Sequence, residues 1–345
     1  MIEVYLTIFF ISVLLLFLGT GVWVGISMIG VSTIGMLMFT SRPVGDAMAT
    51  TMWSMGSSWS LTALPLFVWM GEILFRTKLS ENLFKGLSPW MQKLPGGLIH
   101  VNVVGCALFA AISGSSAATV ATVGKMSIPE LRKRKYPEKI LLGSLAGSGT
   151  LGLLIPPSII LIIYGVTVQE SIAKLFIAGI FPGIMIALIF MSYVIIWSLA
   201  NHKIMPKVHE TSSFLDKIKK SKQLLPVILL ILGVIGSIYT GVATATEAAS
   251  LGVVGALALS YFQKSLNLKT FKESLLGATK TSCMIAFILA GSTFLSLAMG
   301  FTGLPRNLAI WIQEMSLSPY ALIFVLTIFY IILGMFLDGI SAVVL

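Results

Sequence analysis

Long apolar runs alternate with short polar, mostly basic, connections along this chain. Apolar stretches cover Val4–Leu18, Val22–Phe39, Leu61–Phe75, Ile172–Ala200, Val242–Phe262 and Ser282–Met299. They lie at or near the roughly 20 residues that a helix needs to cross a hydrocarbon core, so the pattern predicts an all-α polytopic membrane protein. Two segments break the pattern. In Gly97–Gly124 the middle reads Ala111-Ile112-Ser113-Gly114-Ser115-Ser116-Ala117, too polar and flexible for the centre of a lipid-facing helix. Irregular backbone at that depth is tolerated only where protein or a wet cavity surrounds it, so a re-entrant helical hairpin with its tip at Ser113–Ser116 is expected. Between Lys139 and Thr167 the chain carries Gly147-Ser148-Gly149-Thr150 and then Pro156-Pro157-Ser158. Adjacent prolines remove two backbone donors and bias the preceding residue out of the helix, which predicts a broken helix.

Composition sharpens the class. Of 345 residues, 57% are hydrophobic and 10% charged, and mean hydropathy is +0.97. Soluble domains carry about 25% charged residues. The first residues lack a basic n-region and lead directly into a second apolar run, so no cleaved signal peptide is expected there. The formal net charge of +10 comes from four basic clusters, spread over 76–93, 125–139, 203–222 and 264–280. Only Arg42, Lys174 and Arg306 of the 23 basic residues fall elsewhere. Positive-inside bias accounts for clusters beside apolar spans without a nucleic-acid partner. Placing all four in the cytoplasm makes Gly97–Gly124 enter and leave on one side and puts the N-terminus outside. Cys106 and Cys283 sit within apolar runs without metal-ligand spacing and read as small hydrophobes.

The chain also resembles itself. A shift of 225 residues aligns Leu79–Val120 with Leu304–Leu345 without a gap, setting Ser113-Gly114 on Asp338-Gly339 and Ser116-Ala117 on Ser341-Ala342. Gly19-Thr20-Gly21-Val22 echoes Tyr239-Thr240-Gly241-Val242. Chance likeness between apolar segments is the plainer reading of so low an identity. Against it, the charge map starts one unit outside and the other inside, as in the inverted repeats of secondary transporters. The expected division is a first repeat over 1–200, a basic cytoplasmic linker over 201–223 and a second repeat over 224–345. The roughly 80 residues that follow Val120 in the first repeat have no counterpart, so the sequence is expected to be C-terminally truncated, stopping within its second hairpin. Amphipathic stretches Leu79–Lys93 and Leu304–Met315 precede the two hairpins and suit arms between a scaffold and a mobile, hairpin-bearing unit.

A hairpin tip facing a helix break leaves helix ends exposed. N-terminal amides favour an anionic group, while freed carbonyls and hydroxyls suit sodium. The candidate substrate and sodium site is therefore Ser113, Gly114, Ser115 and Ser116 facing Gly149, Thr150, Gly152, Pro156, Pro157 and Ser158, with Asp338 and Gly339 at the matching position of the second hairpin. Sodium is expected near Ser113, Ser115 and Asp338, with no other cofactor; orienting the tip or forming a structural pair are the other roles open to Asp338, an ionisable group in an apolar segment. Close helix packing by small residues is the competing account of these serines and glycines. Glu247 begins a span and reads as a helix cap, Glu72 reads as an i,i+4 partner of Arg76, and His100, His202 and His209 have no zinc spacing. No nucleophile–base pair points to catalysis.

Four motifs carry a family resemblance. Phe109–Val120, Gly152-Leu153-Leu154-Ile155-Pro156-Pro157-Ser158, Gly241-Val242-Ala243-Thr244-Ala245-Thr246-Glu247-Ala248-Ala249 and Gly334-Met335-Phe336-Leu337-Asp338-Gly339 resemble the large (M) permease subunit of tripartite ATP-independent periplasmic (TRAP) transporters, within the wider ion-transporter superfamily. The resemblance implies a sodium-driven elevator-type importer of organic acids such as dicarboxylates or sialic acid. It also implies a small membrane (Q) subunit, a periplasmic substrate-binding protein, and sodium sites at the hairpin tips and adjoining helix breaks. A stand-alone sodium–anion symporter and a passive anion channel are the alternatives.

Overall fold

The computed structural model describes residues 2–77, 79–206, 214–222 and 224–335, together with Gly339 and Val343. Asp338, His209, Ser341 and Ala342 lie outside the described residues. No strand occurs among the described residues. In chain order the helices are α1 (Ile2–Gly19), α2 (Val24–Phe39), α3 (Val44–Gly56), α4 (Ala63–Phe75), α5 (Leu79–Met91), α6 (Ile99–Ser113), α7 (Ser116–Lys133), α8 (Glu138–Gly149) and α9 (Leu151–Leu154). They continue as α10 (Ile159–Val168), α11 (Ile172–Ala200), α12 (Phe214–Ser221), α13 (Leu225–Tyr239), α14 (Ala245–Phe262), α15 (Leu268–Phe301), α16 (Leu304–Glu314) and α17 (Pro319–Gly334). Among the described residues four segments, Glu138–Val168, Ile172–Ala200, Ala245–Phe262 and Leu268–Phe301, are long and apolar enough to cross a membrane, and the pair Val44–Gly56 and Trp59–Phe75, bent by 56°, makes a fifth if taken as one span. The protein is an all-α polytopic membrane protein.

Packing divides the chain into two compact units, Met1–Leu61 with Ser282–Leu345, and Thr62–Thr281. In the first, Phe10 of α1 lies over Gly35 of α2, where an added Cβ would meet its ring at 2.6 Å. Met36, Phe294 and Ala298 form a buried cluster there, covered by Ile29, Val44, Ala47 and Met48. In the second, α4 crosses α14, while α6, α7, α8 and α9 pack together and α11 closes against them. Helix α11 shows how one sequence serves two surroundings. Gly179 and Gly183 face Leu154 and Ile155, where an added Cβ would stand 2.9 Å from Leu154 O and 2.8 Å from Ile155 Cγ1 respectively. On the other side Phe181, Ile184, Leu188, Tyr193, Ile196 and Leu199 stand bare, a predominantly apolar stripe. Its 29 residues rise about 43 Å at 1.5 Å each, enough to cross the bilayer.

Both breaks that the sequence predicts are present. Helix α6 stops at Ser113 and α7 starts at Ser116, and α8–α9 stop before a cis Pro156–Pro157 bond that leads into α10. Several stretches differ from expectation. The region after Phe39, which lies between two of the apolar runs, holds α3, its Thr50 and Thr51 hydroxyls returning to the Asp46 and Ala47 carbonyls at 2.7 and 2.6 Å. Within the 201–223 linker, residues Phe214–Ser221 form α12, which packs on α5. Helix α7 runs through Lys133 despite Pro129. Helix α15 starts at Leu268, where Asn267 Oδ1 accepts from Thr270 N at 2.7 Å, so its basic first turns belong to the span. Glu247 closes a capping box with Thr244 at the start of α14.

Candidate functional site: a hairpin tip seated on a broken helix

The tip is tied together by its own hydroxyls. Ser113 is buried, and its Oγ lies 2.9 Å from Thr119 Oγ1 and donates to Ser115 O at 3.2 Å. Thr119 Oγ1 also donates to Ser115 O, at 2.7 Å. Ser115 caps α7, its side chain accepting from Ala118 N at 3.5 Å. Gly114 makes the turn in the left-handed region, φ 58°, which glycine reaches without the steric penalty of an L side chain. An added Cβ there would stand 2.9 Å from Pro157 O.

The break comes to meet it. Ile159 N donates to Gly114 O at 3.4 Å, a direct backbone link from tip to broken helix. Gly152 packs so closely that a Cβ would lie 2.8 Å from Ser115 C and O and 2.9 Å from Ser116 N. A Cβ on Gly149 would overlap the Val120 side chain at 1.9 Å. Pro156, Pro157 and Ser158 are buried. Ser158 caps α10 through Leu161 N at 3.5 Å, and its hydroxyl donates back to Leu153 O. The N-termini of α7 and α10 thus converge beside the C-termini of α6 and α9. Amides and positive dipole ends suit an anion, and carbonyl-bearing ends with hydroxyls suit a hard cation.

Of the expected site, Ser113, Gly114, Ser115, Ser116, Gly149, Gly152, Pro156, Pro157 and Ser158 are brought together. Thr150 is not among them, being exposed with its hydroxyl turned to Gly147 O at 2.7 Å. Gly339 is helical and half-buried. Two contributors escaped the sequence reading. Thr119 is fully buried in the tip network, and Gly71 of α4 backs the tip, with a Cβ position 3.1 Å from Ser113 Cα. Thr119 stands four residues after Ser115, the spacing at which a helical hydroxyl bonds back to a carbonyl. That spacing was the available signal. His100 is a buried core residue with Nε2 on Pro95 O at 2.8 Å. Glu72 holds Arg76 at 3.2 Å.

Residues 11–345 match the family described as the tripartite ATP-independent periplasmic transporter, DctM component. The chain belongs to that family. It is similar to the C4-dicarboxylate TRAP transporter large permease protein DctM of Pseudomonas aeruginosa, 32% identical over 90% of this chain and 71% of the relative. The sialic acid TRAP transporter large permease protein SiaM of Vibrio cholerae is 31% identical over 94% and 75%. The ectoine/5-hydroxyectoine TRAP transporter large permease protein UehC of Ruegeria pomeroyi is 33% identical over 98% and 78%. These relatives are permeases, and this TRAP large permease subunit is a transporter component rather than an enzyme.

Proposed function

We propose that this permease carries out sodium-coupled import of an organic acid across the bacterial inner membrane, with the acid delivered by a periplasmic binding protein and a small membrane (Q) subunit alongside. The observation that carries the proposal is the seating of the Gly114–Ser115 backbone on Gly152 and Ile159, which gathers two helix N-termini and two C-termini at one place. Sodium is assigned to the hydroxyls and carbonyls around Ser113, Ser115 and the 149–158 break, with a second ion toward Asp338. Carboxylate cargo follows from the convergent amides; the dicarboxylate and sialic acid names belong to the relatives. The inverted-repeat division over 1–200 and 224–345 stays part of this reading. An amphipathic helix followed by an apolar one occurs as α5–α6 and again as α16–α17. In an elevator mechanism α5 and α16 act as the arms.

The test is uptake of labelled organic acids into proteoliposomes containing the chain and its small subunit. The binding protein and an inward sodium gradient are each supplied or withheld. Uptake needing both is expected. Sodium-driven uptake without the binding protein indicates a stand-alone symporter, and flux indifferent to sodium removes the coupled mechanism.

A further inference from the structure

Below the hairpin arm, on the side of the basic clusters, the second unit holds a cavity of about 810 Å³. That is within the 300–1,000 Å³ usual for small-molecule sites. Helices α4, α5 and α7 and the turn before α15 all contribute to its wall. Arg76, Lys85 and Lys125 line it, as do Glu130 and Glu273. The carboxylates are engaged: Glu273 with Arg76 at 2.9 Å and Glu130 with Arg134 at 2.9 Å. Lys125 is exposed and has no ion pair among the described residues. Asn267 and Thr270 bring the N-terminus of the 34-residue α15 to the same wall, adding the positive end of a long helix. Thr122, on the α7 wall, is 2% exposed, and its hydroxyl has no hydrogen-bond partner among the described residues. An open cavity of this size, with Lys125 and a helix N-terminus on its wall, fits a small anion better than a cation.

We propose that this cavity is a second anion site, separate from the tip, which holds the carboxylate of the transported acid as it leaves on the basic side. Lys125 makes the direct charged contact, and the α15 N-terminus completes the positive wall. Arg76, fixed between Glu72 and Glu273, shapes the wall. The identity of the anion rests on the organic-acid reading above; the site itself rests on the cavity.

The experiment measures protection of a cysteine at the cavity wall. In a Cys283→Ser background, Thr270→Cys is placed in the full chain, purified with its small subunit and kept in sodium-free buffer. N-ethylmaleimide, being neutral, reports access without responding to ionic screening. Succinate and N-acetylneuraminate are tested in separate arms against phosphate at matched ionic strength. At concentrations a few times its Kd, one carboxylate is expected to slow labelling about fivefold, by simple occupancy. Lys125→Gln removes the protection and Lys125→Arg retains it. Ser265→Cys, on the same wall, serves where Thr270→Cys does not fold. Equal protection by phosphate, protection by neither carboxylate, or protection that survives Lys125→Gln overturns the proposal. The readout needs neither sodium nor turnover. Sodium-independent uptake in the proteoliposomes would therefore sink the coupled reading without touching this result, and loss of protection would leave sodium-coupled uptake standing.

Discussion

Gly114 and Gly152 are where a single methyl group decides whether the tip can sit on the break. At Gly114 an alanine must hold φ 58°, which costs an L residue roughly 1–2 kcal/mol, and it meets Pro157 O at 2.9 Å. At Gly152 the obstacle is Ser115 backbone at 2.8 Å, which has no rotamer to change; overpacking of this kind costs roughly 1–3 kcal/mol. Gly152→Ala is expected to cut sodium-driven uptake about tenfold or more, since each 1.4 kcal/mol is a factor of ten. Gly143→Ala, with open space around it, should keep near-normal uptake at equal expression. Similar losses in both variants would refute the seated-tip geometry. Thr119 offers a finer probe. Thr119→Val keeps the volume but removes the bond to Ser115 O, worth about 1 kcal/mol, and the polar contact with Ser113 Oγ. The half-saturating sodium concentration should rise several-fold while Thr119→Ser stays near wild type, read from uptake against sodium concentration. An unchanged value in Thr119→Val separates the hydroxyl network from sodium.

Elements were legible in the sequence to the extent that they contrast with their surroundings. The tip and the break announced themselves because serines, glycines and prolines interrupt apolar runs, and a polar backbone inside a membrane must be covered by protein. Thr119 gave no such contrast, because a threonine bonding back within its own helix looks like any other until its neighbours are placed. Helix α3 escaped for the opposite reason: its glycines, threonines and serine dilute the apolar period, and its hydroxyls satisfy backbone locally. The basic linker read only as charge, yet α12 docks on α5. Trp90 Nε1 donates to Ser221 Oγ at 2.7 Å, and Lys217 Nζ lies 5.5 Å from the Trp90 ring centroid. The hydrogen bond is worth about 1 kcal/mol and the cation–π contact about 0.5–1 kcal/mol. Trp90→Ala should then raise the undocked population about tenfold. Cleavage tracks that population when opening is fast, so trypsin should cut at Lys219 and Lys220 faster in the variant by a similar factor. Equal cleavage rates would show that α12 is held by something else.

At the scale of the whole molecule, the contacts of the second unit put a charge map read from sequence onto one end of a helical body. Arg76 pairs with Glu273, joining the first basic cluster to the segment of the fourth; Lys125 of the second lines the same cavity as Arg76; and Lys217 of the third rests on Trp90 of α5. The opposite end has its own marker, since Tyr239 at the close of α13 donates to Phe176 O near the start of α11 at 3.2 Å. Four clusters at one end and the turns at 169–171 and 240–244 at the other leave only the direction to be fixed, and positive-inside bias assigns the basic end to the cytoplasm. Single cysteines test that assignment in a Cys283→Ser background. Gln169→Cys and Thr240→Cys, both exposed, should react with a membrane-impermeant maleimide in intact spheroplasts. Lys133→Cys and Lys264→Cys should stay unlabelled there and react in inside-out vesicles. The reverse pattern would invert the orientation of the second unit. The cavity beside Lys125 would then open to the periplasm, at the entry rather than the exit of the acid, while protection of Thr270→Cys by a carboxylate would be unaltered. Labelling of all four positions from one side would contradict the fold itself, because the roughly 43 Å length of α11 and the Tyr239–Phe176 contact require the two sets to lie on opposite faces of the bilayer.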